Sequence, residues 1–238
     1  MAEFKIYANN RVSFAGKTGS GKTFAAGFLL GKIGRKIVID PKDSPAIDDW
    51  NLIPWDEQSI NLLRDPDERA SIRVIEPPGG YDKDGFPNWD PVFDMAWDLA
   101  PVTIYLDEMY SVAKNGNMSY HLRRLYTQGR EHGIGIWAST QRPMNVPKEM
   151  FTEAEWGMIF MLKRAKDRKE VADDTGYDLI EEPIRDEHGL WVYYETWSDP
   201  IYYPILDVKK PFRPEAPPIS HHPYKLAVPK KERVVSYP

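Results

Sequence analysis

Three groups of residues could do chemistry together, and the first is the run Gly16-Lys17-Thr18-Gly19-Ser20-Gly21-Lys22-Thr23. It follows the apolar stretch Val12-Ser13-Phe14-Ala15 and opens into Phe24-Ala25-Ala26-Gly27-Phe28-Leu29-Leu30. That order of strand, glycine-rich turn and helix start is the context a phosphate-binding loop requires. Glycines let the backbone curl until successive N–H groups point into one concavity, and the helix adds its positive N-terminal end. Lys22 offers a mobile charge to the β- and γ-phosphates of a nucleotide, and the Thr23 hydroxyl a ligand to a magnesium ion on the same phosphates. Gly16 through Thr23, with Phe24 next on the helix, are the expected nucleotide-binding set, and ATP and Mg2+ the expected cofactors.

The second group is Asp107-Glu108, which ends the apolar run Val102-Thr103-Ile104-Tyr105-Leu106. Such a run fits a strand buried on both faces of a parallel sheet, and its carboxyl end is where strands of that kind deliver ligands. Consecutive residues in a strand point to opposite faces, so the two acids should do different work. Asp107 is placed to hold the magnesium with Thr23, and Glu108 to orient or deprotonate an attacking water. The third group closes Ile134-Gly135-Ile136-Trp137-Ala138-Ser139-Thr140-Gln141. Gln141 beside a nucleotide could hydrogen-bond the γ-phosphate or the water, and so report whether the phosphate is there.

These groups need a frame of strands and helices. Arg11 to Ala15 reads as the first strand, Gly21 to about Lys32 as a helix ended by Gly34, and Lys36 to Asp40 as the second strand. Residues 41–70, rich in Asp, Pro and Trp, read as a surface excursion with one short helical pattern around Ile60-Asn61-Leu62-Leu63. Ile72 to Ile75 reads as the third strand, Pro77 to Pro91 as loop, Pro91 to Leu99 as a helix, and Ser119 to Glu131 as another. A strand over Glu155 to Leu162 is followed by a helix to about Asp174 that opens with five basic residues, read as a solvated face rather than a nucleic-acid contact. Leu190 to Thr196 and Pro200 to Leu206 suggest a hairpin at the sheet edge. The expected fold is α/β, a mostly parallel central sheet flanked by helices, with at least one strand between the loop strand and the strand of the acidic pair.

The chain has 238 residues, no cysteine, 42% hydrophobic residues and a formal charge of −5. Disulfides and thiolate zinc sites are therefore excluded, and no apolar run is long enough to span a bilayer or to serve as a signal peptide. Within 207–238, seven Lys or Arg stand against three acids, a balance of +4 that leaves −9 for 1–206. The expected division is a motor domain over 1–206 and a proline-rich, basic C-terminal arm over 207–238, extended and largely polyproline-like. His221-His222 is too isolated to be read as a metal site.

The loop at Gly16 to Thr23, Leu106-Asp107-Glu108, Gly129-Arg130-Glu131-His132-Gly133 and Ser139-Thr140-Gln141-Arg142-Pro143 together resemble the FtsK/HerA class of P-loop ATPases. The likeness covers roughly residues 11–175, and within that class the chain is most similar to viral and phage genome-packaging ATPases. The resemblance implies a RecA-like P-loop fold and an ATP-hydrolysing translocase that moves double-stranded DNA into a preformed capsid. It implies a hexameric or pentameric ring, capsid portal or vertex proteins as partners, no membrane insertion, and a place in the cytoplasm of an infected host cell. It also implies that Arg130 reaches the nucleotide of a neighbouring subunit as an arginine finger and that Gln141 is the sensor. Arg142 is a second finger candidate. Two alternatives stand beside this reading: a membrane-associated ATPase of virion assembly or DNA transfer, and a slow nucleotide-dependent switch or scaffold.

Overall fold

A computed structural model describes residues 6–65, 67–113, 116–186 and 188–203. The arm over 207–238, the histidine pair within it, and Lys114 and Asn115 lie outside the described residues.

Among the described residues nine strands form one sheet: β1 (Arg11–Ala15), β2 (Lys36–Ile39), β3 (Ile53–Pro54), β4 (Ser71–Val74), β5 (Val102–Leu106), β6 (Ile134–Thr140), β7 (Trp156–Phe160), β8 (Leu190–Tyr194) and β9 (Ile201–Tyr203). Their spatial order is β3-β4-β2-β5-β6-β1-β7-β8-β9. The first seven run parallel, while β8 is antiparallel to β7 and β9 to β8. The fold is the expected α/β P-loop architecture, and the strand inserted between β1 and β5 is β6, the one that leads to Gln141.

Among the described residues six helices cover the sheet: α1 (Lys22–Leu30), α2 (Glu57–Arg64), α3 (Asp90–Asp98), α4 (Tyr120–Gln128), α5 (Glu149–Thr152) and α6 (Ala165–Thr175). Strand residues alternate between two cores. Val12, Phe14, Val38, Tyr105 and Trp137 pack beneath α1 on one face, whereas Ala15, Ile37, Ile39, Ile104 and Ile136 pack with side chains of α2 to α6 on the other. On the α1 face Gly27 is required, because a Cβ there would lie 2.6 Å from the Trp50 ring.

Three boundaries differ from the sequence reading. Helix α1 ends at Leu30, where Gly31 N–H bonds Gly27 O, so Gly34 lies beyond its end. The 41–70 segment is not all excursion: Ile53 and Pro54 pair with Ile72 and Arg73 as an edge strand. A two-residue strand ending in proline is tolerated only at an edge, and it leaves no alternation to read. Arg73 ties the same segment down through Asp40, Asp43 and Asp48. Helix α4 stops at Gln128, and Gly129–His132 tightens into a 3-10 turn closed by Gly133 in the left-handed region at φ 79°.

The amino ends of β1, β6 and β7 are clasped by one buried acid. Glu155 accepts from the Arg11 backbone N–H and guanidinium, with Nη2 at 2.7 Å, and from Arg130 Nη1 at 2.9 Å. Arg11 is largely buried, whereas the Arg130 side chain is 42% exposed. Removing the acid takes the bonds to the Arg11 backbone N–H, Nε and Nη2 and leaves the partly exposed Glu153, 3.0 Å from Nη1, as the counter-charge of Arg11, while removing Arg130 deletes only a half-wet partner. Glu155→Ala should therefore lower the unfolding free energy by about 2–4 kcal/mol, and Arg130→Ala by about 1 kcal/mol or less. Denaturant unfolding checks this, and equal effects of the two changes would refute it.

Candidate nucleotide site

The carboxyl ends of β1, β5 and β6 meet because their register is fixed: Ala15 lies opposite Thr140, and Leu106 opposite Ala138. The residues after each strand therefore share one edge of the sheet. From β1 comes the glycine loop, anchored by Gly16 N–H to Thr140 O at 3.1 Å and Lys17 N–H to Met161 O at 2.9 Å. A Cβ on Gly16 would stand 2.7 Å from both Phe160 Cβ and Ser20 Oγ, so only glycine lets the loop lie this close to the end of β7. Gly21, with φ 103°, turns the chain into α1, whose N-terminus carries no side-chain cap. The first-turn N–H groups of a helix have no partner inside it, and here they open toward the loop. Ser20 Oγ is buried and without a hydrogen-bond partner among the described residues.

Lys22 is buried and curls back over the loop. Its Nζ donates to Gly16 O at 2.8 Å and Lys17 O at 3.0 Å. Burial pushes its pKa down to about 8, against the pull of Glu108 and Asp107 in the other direction. An ammonium so poorly hydrated gains from any anion brought beside it. Thr23 Oγ1 lies 3.5 Å from Asp107 Oδ1. The Asp107 carboxyl is buried, accepts from Tyr105 OH at 3.0 Å, and has its pKa raised mainly by desolvation. Phe24 is 71% exposed on the first turn of α1.

The two acids separate as expected. Asp107 turns toward Thr23, and Glu108 turns to another pair of partners: Lys42 Nζ bonds its Oε2 at 2.8 Å and Thr140 Oγ1 its Oε1 at 3.2 Å. Lys42, which follows β2, is the residue that sequence reasoning missed. Its one signal was position, two residues past Asp40 at the carboxyl end of a buried parallel strand. Gln141 Oε1 accepts from Thr18 Oγ1 at 2.7 Å, which ties the end of β6 to the glycine loop. Arg142 is exposed beside it, its N–H bonded to Thr140 Oγ1 at 3.1 Å.

Arg130 does not join this group. It precedes β6, and the seven residues of that strand put roughly 20 Å between it and the loop of its own chain. The basic run opening α6 is partly committed elsewhere: Arg168 donates to the carbonyls of Leu162 and Glu181, and Lys169 pairs with Asp173. Among the described residues no cluster of three or more His, Asp or Glu could hold a metal unaided, and no helix is long and apolar enough to cross a membrane.

No protein-family model matches the chain. The DNA packaging ATPase P9 of Enterobacteria phage PRD1 is 27% identical over 201 residues, covering 79% of this chain and 82% of the relative. The genome packaging NTPase B204 of Sulfolobus turreted icosahedral virus 2, solved in complex with AMP, superposes with a TM-score of 0.65 at 14% identity. That match covers 84% of this chain and 100% of the other. The pCW3 conjugation coupling protein TcpA, with ATPγS, gives a TM-score of 0.54 at 14% identity over 87% of this chain and 64% of its own. The chain thus has the P-loop fold that these packaging and coupling proteins share, and by sequence it resembles a phage DNA packaging ATPase.

Proposed function

We propose that the chain is an ATPase that packages a viral genome, with residues 1–206 as the motor domain and 207–238 as an appended arm. The observation that carries this reading is the convergence of Lys22, Thr23, Asp107, Glu108 and Gln141 at one edge of the sheet, each already held by a neighbour. Gly16 to Gly21 and the N-terminus of α1 would cradle the phosphates, Lys22 would pair with the β- and γ-phosphates, and Phe24 would lie alongside. The Thr23 hydroxyl, backed by the Asp107 carboxylate, suits a hard divalent cation such as Mg2+, which when bound neutralises charge on the phosphate oxygens. Desolvation of Asp107 favours a cation beside it for the same reason that burial of Lys22 favours an anion.

Glu108 would orient or deprotonate the attacking water, with Lys42 and Thr140 holding its two oxygens. Gln141 would sense the γ-phosphate by exchanging its bond to Thr18 for one to the phosphate or water. Arg130, remote from its own loop, could act as a finger only on the nucleotide of a neighbouring copy, which is how a ring makes hydrolysis depend on assembly. Double-stranded DNA in the ring and capsid portal or vertex proteins at its rim are the partners this reading assigns. The phage relative and the packaging fold support them.

Hydrolysis of ATP should rise on adding linear double-stranded DNA, and the rise should fade as salt increases. Glu108→Gln should lower turnover by about a hundredfold or more while nucleotide still binds, and Lys22→Ala should abolish binding or turnover. Wild-type turnover in either variant would refute the assignment. Arg130→Ala should bind nucleotide yet lose about a thousandfold in turnover, partly restored on mixing with Lys22→Ala subunits. No restoration would remove the finger in trans.

The state of Lys22 gives a pH test. Its free pKa of about 8 should climb when a triphosphate sits beside it, so binding at pH 8.5 should take up roughly half a proton or more, and none at pH 7. Apparent affinity should accordingly weaken as pH rises through 8. Calorimetry in buffers of different ionisation heat reads the uptake; an uptake that does not rise between pH 7 and pH 8.5 would assign the proton to another group.

A further inference from the structure

Between β4 and α3 the chain folds over the carboxyl ends of β2, β4 and β5 and makes an aromatic groove that the proposed chemistry does not use. Two adjoining clefts of about 370 and 530 Å³ share Tyr81, Phe86, Pro87 and Trp89. Trp89 is the floor, 2% exposed, its indole N–H directed at Ser111 O. Tyr81 and Tyr110 stand at the walls with 66% and 49% of their surface in water. Tyr81 is held out by a tight turn in which Asp82 N–H bonds Phe86 O at 2.9 Å and Tyr81 pairs with Pro87. Solvent-facing aromatics over a buried tryptophan, flanked by prolines, form the kind of surface on which polyproline II segments dock. The rim is acidic: residues 76–94 carry Glu76, Asp82, Asp84, Asp90 and Asp94 against Lys83 alone, a balance of −4.

The complementary ligand is in the same chain. Pro211, Pro214 and Pro217 recur every third residue, so in a helix of three residues per turn they form one ridge. Lys209, Lys210 and Arg213 flank that ridge against Asp207 and Glu215, a balance of +1 within 207–218. Position decides which copy supplies it. Strand β9 is antiparallel to β8 and β8 to β7, so the chain leaves Tyr203 at the carboxyl end of the sheet, the end that carries the groove. It leaves from the opposite edge, however: five strand spacings separate β9 from β5, about 24 Å. Within one chain the path would run across the ends of β7, β1 and β6, over the mouth of the glycine loop. Between copies packed head to tail, the β9 edge of one faces the β3-β4 edge of the next. The seven residues from Pro204 to Lys210, spanning up to about 24 Å, then reach the groove without crossing the site.

We propose that residues 207–218 of one copy dock in the Tyr81–Tyr110 groove of the adjacent copy, tethering neighbours through their proline-rich arms. This rests on the ring assembly proposed above.

The chain is free of cysteine, so single cysteines report without background. Full-length Lys83→Cys, on the groove rim, and full-length Ala216→Cys, beside the proline ridge, should give a two-chain species on mixing with a short bismaleimide. The yield should be at least tenfold above that of Ala216→Cys mixed with Glu68→Cys, which is exposed on the same edge but at the amino end of the sheet. Tyr81→Ala or high salt should cut the yield severalfold. Equal yields from the two mixtures would overturn the docking. So would a Lys83→Cys/Ala216→Cys double variant whose cross-link stays within one chain when diluted tenfold with unmodified protein, since that places the arm on its own groove. ATP turnover of the same samples keeps the two readings apart: turnover without the cross-link removes the docking alone, and the cross-link without turnover removes the motor alone.

Discussion

Everything at the candidate site depends on the hydrogen-bonded ladder β5-β6-β1. Parallel strands in register end together, and here that register puts Thr140 beside Ala15 and Ala138 beside Leu106. Residues 123 positions apart in sequence are thereby brought within hydrogen-bond reach, as Thr18 and Gln141 are. The insertion of β6 between the loop strand and the acid strand also sets the division of labour. Asp107 can turn to Thr23 on α1, while Glu108 turns to Thr140 on the inserted strand itself. Were β5 directly beside β1, Glu108 would have no such partner.

The site is also an electrostatic compromise. Lys22, Asp107 and Glu108 are all buried, and each would be costly to bury alone. Together with Lys42 they make two positive and two negative groups, but only Lys42 and Glu108 form a direct ion pair. Lys22 instead rests on loop carbonyls and Asp107 on a tyrosine hydroxyl, partners that stabilise a charge less than an opposite charge does. Desolvation therefore lowers the pKa of Lys22 and raises that of Asp107. Those two groups are the ones that a phosphate and a divalent cation would complement, so the cost is concentrated where a ligand would offset it.

Much of this was legible before the fold was known, because the glycine loop, the acidic pair and the strand ending in Gln141 are each contiguous. A loop between strand and helix and a carboxylate after an apolar run carry their context with them. Lys42 and Glu155 were not legible, since neither means anything without strand order. Lys42 reaches Glu108 only because β2 lies beside β5, and Glu155 reaches Arg11 only because β7 lies beside β1. The edge strand Ile53–Pro54 and the early end of α1 escaped for a local reason. Two residues have no period, and Gly31 ends the helix by a backbone bond to Gly27 O, three positions before Gly34.

The sheet keeps two polar clusters at its two ends. At the carboxyl end are Lys22, Asp107, Glu108 and Gln141; at the amino end Arg11, Glu155 and Arg130. Strand β6 runs between them, seven residues long, buried along its whole length and paired on both sides. Such a strand cannot stretch, and sliding it would break ladders with both neighbours. Movement of the Gln141 amide away from Thr18 is therefore left to its own side-chain torsions beyond the end of the strand, and β6 holds the two clusters at a fixed separation. At the amino end the half-wet ion pair of Arg130 with Glu155 is weaker than the buried one of Arg11, so of the two arginines Arg130 is the one that can leave its partner.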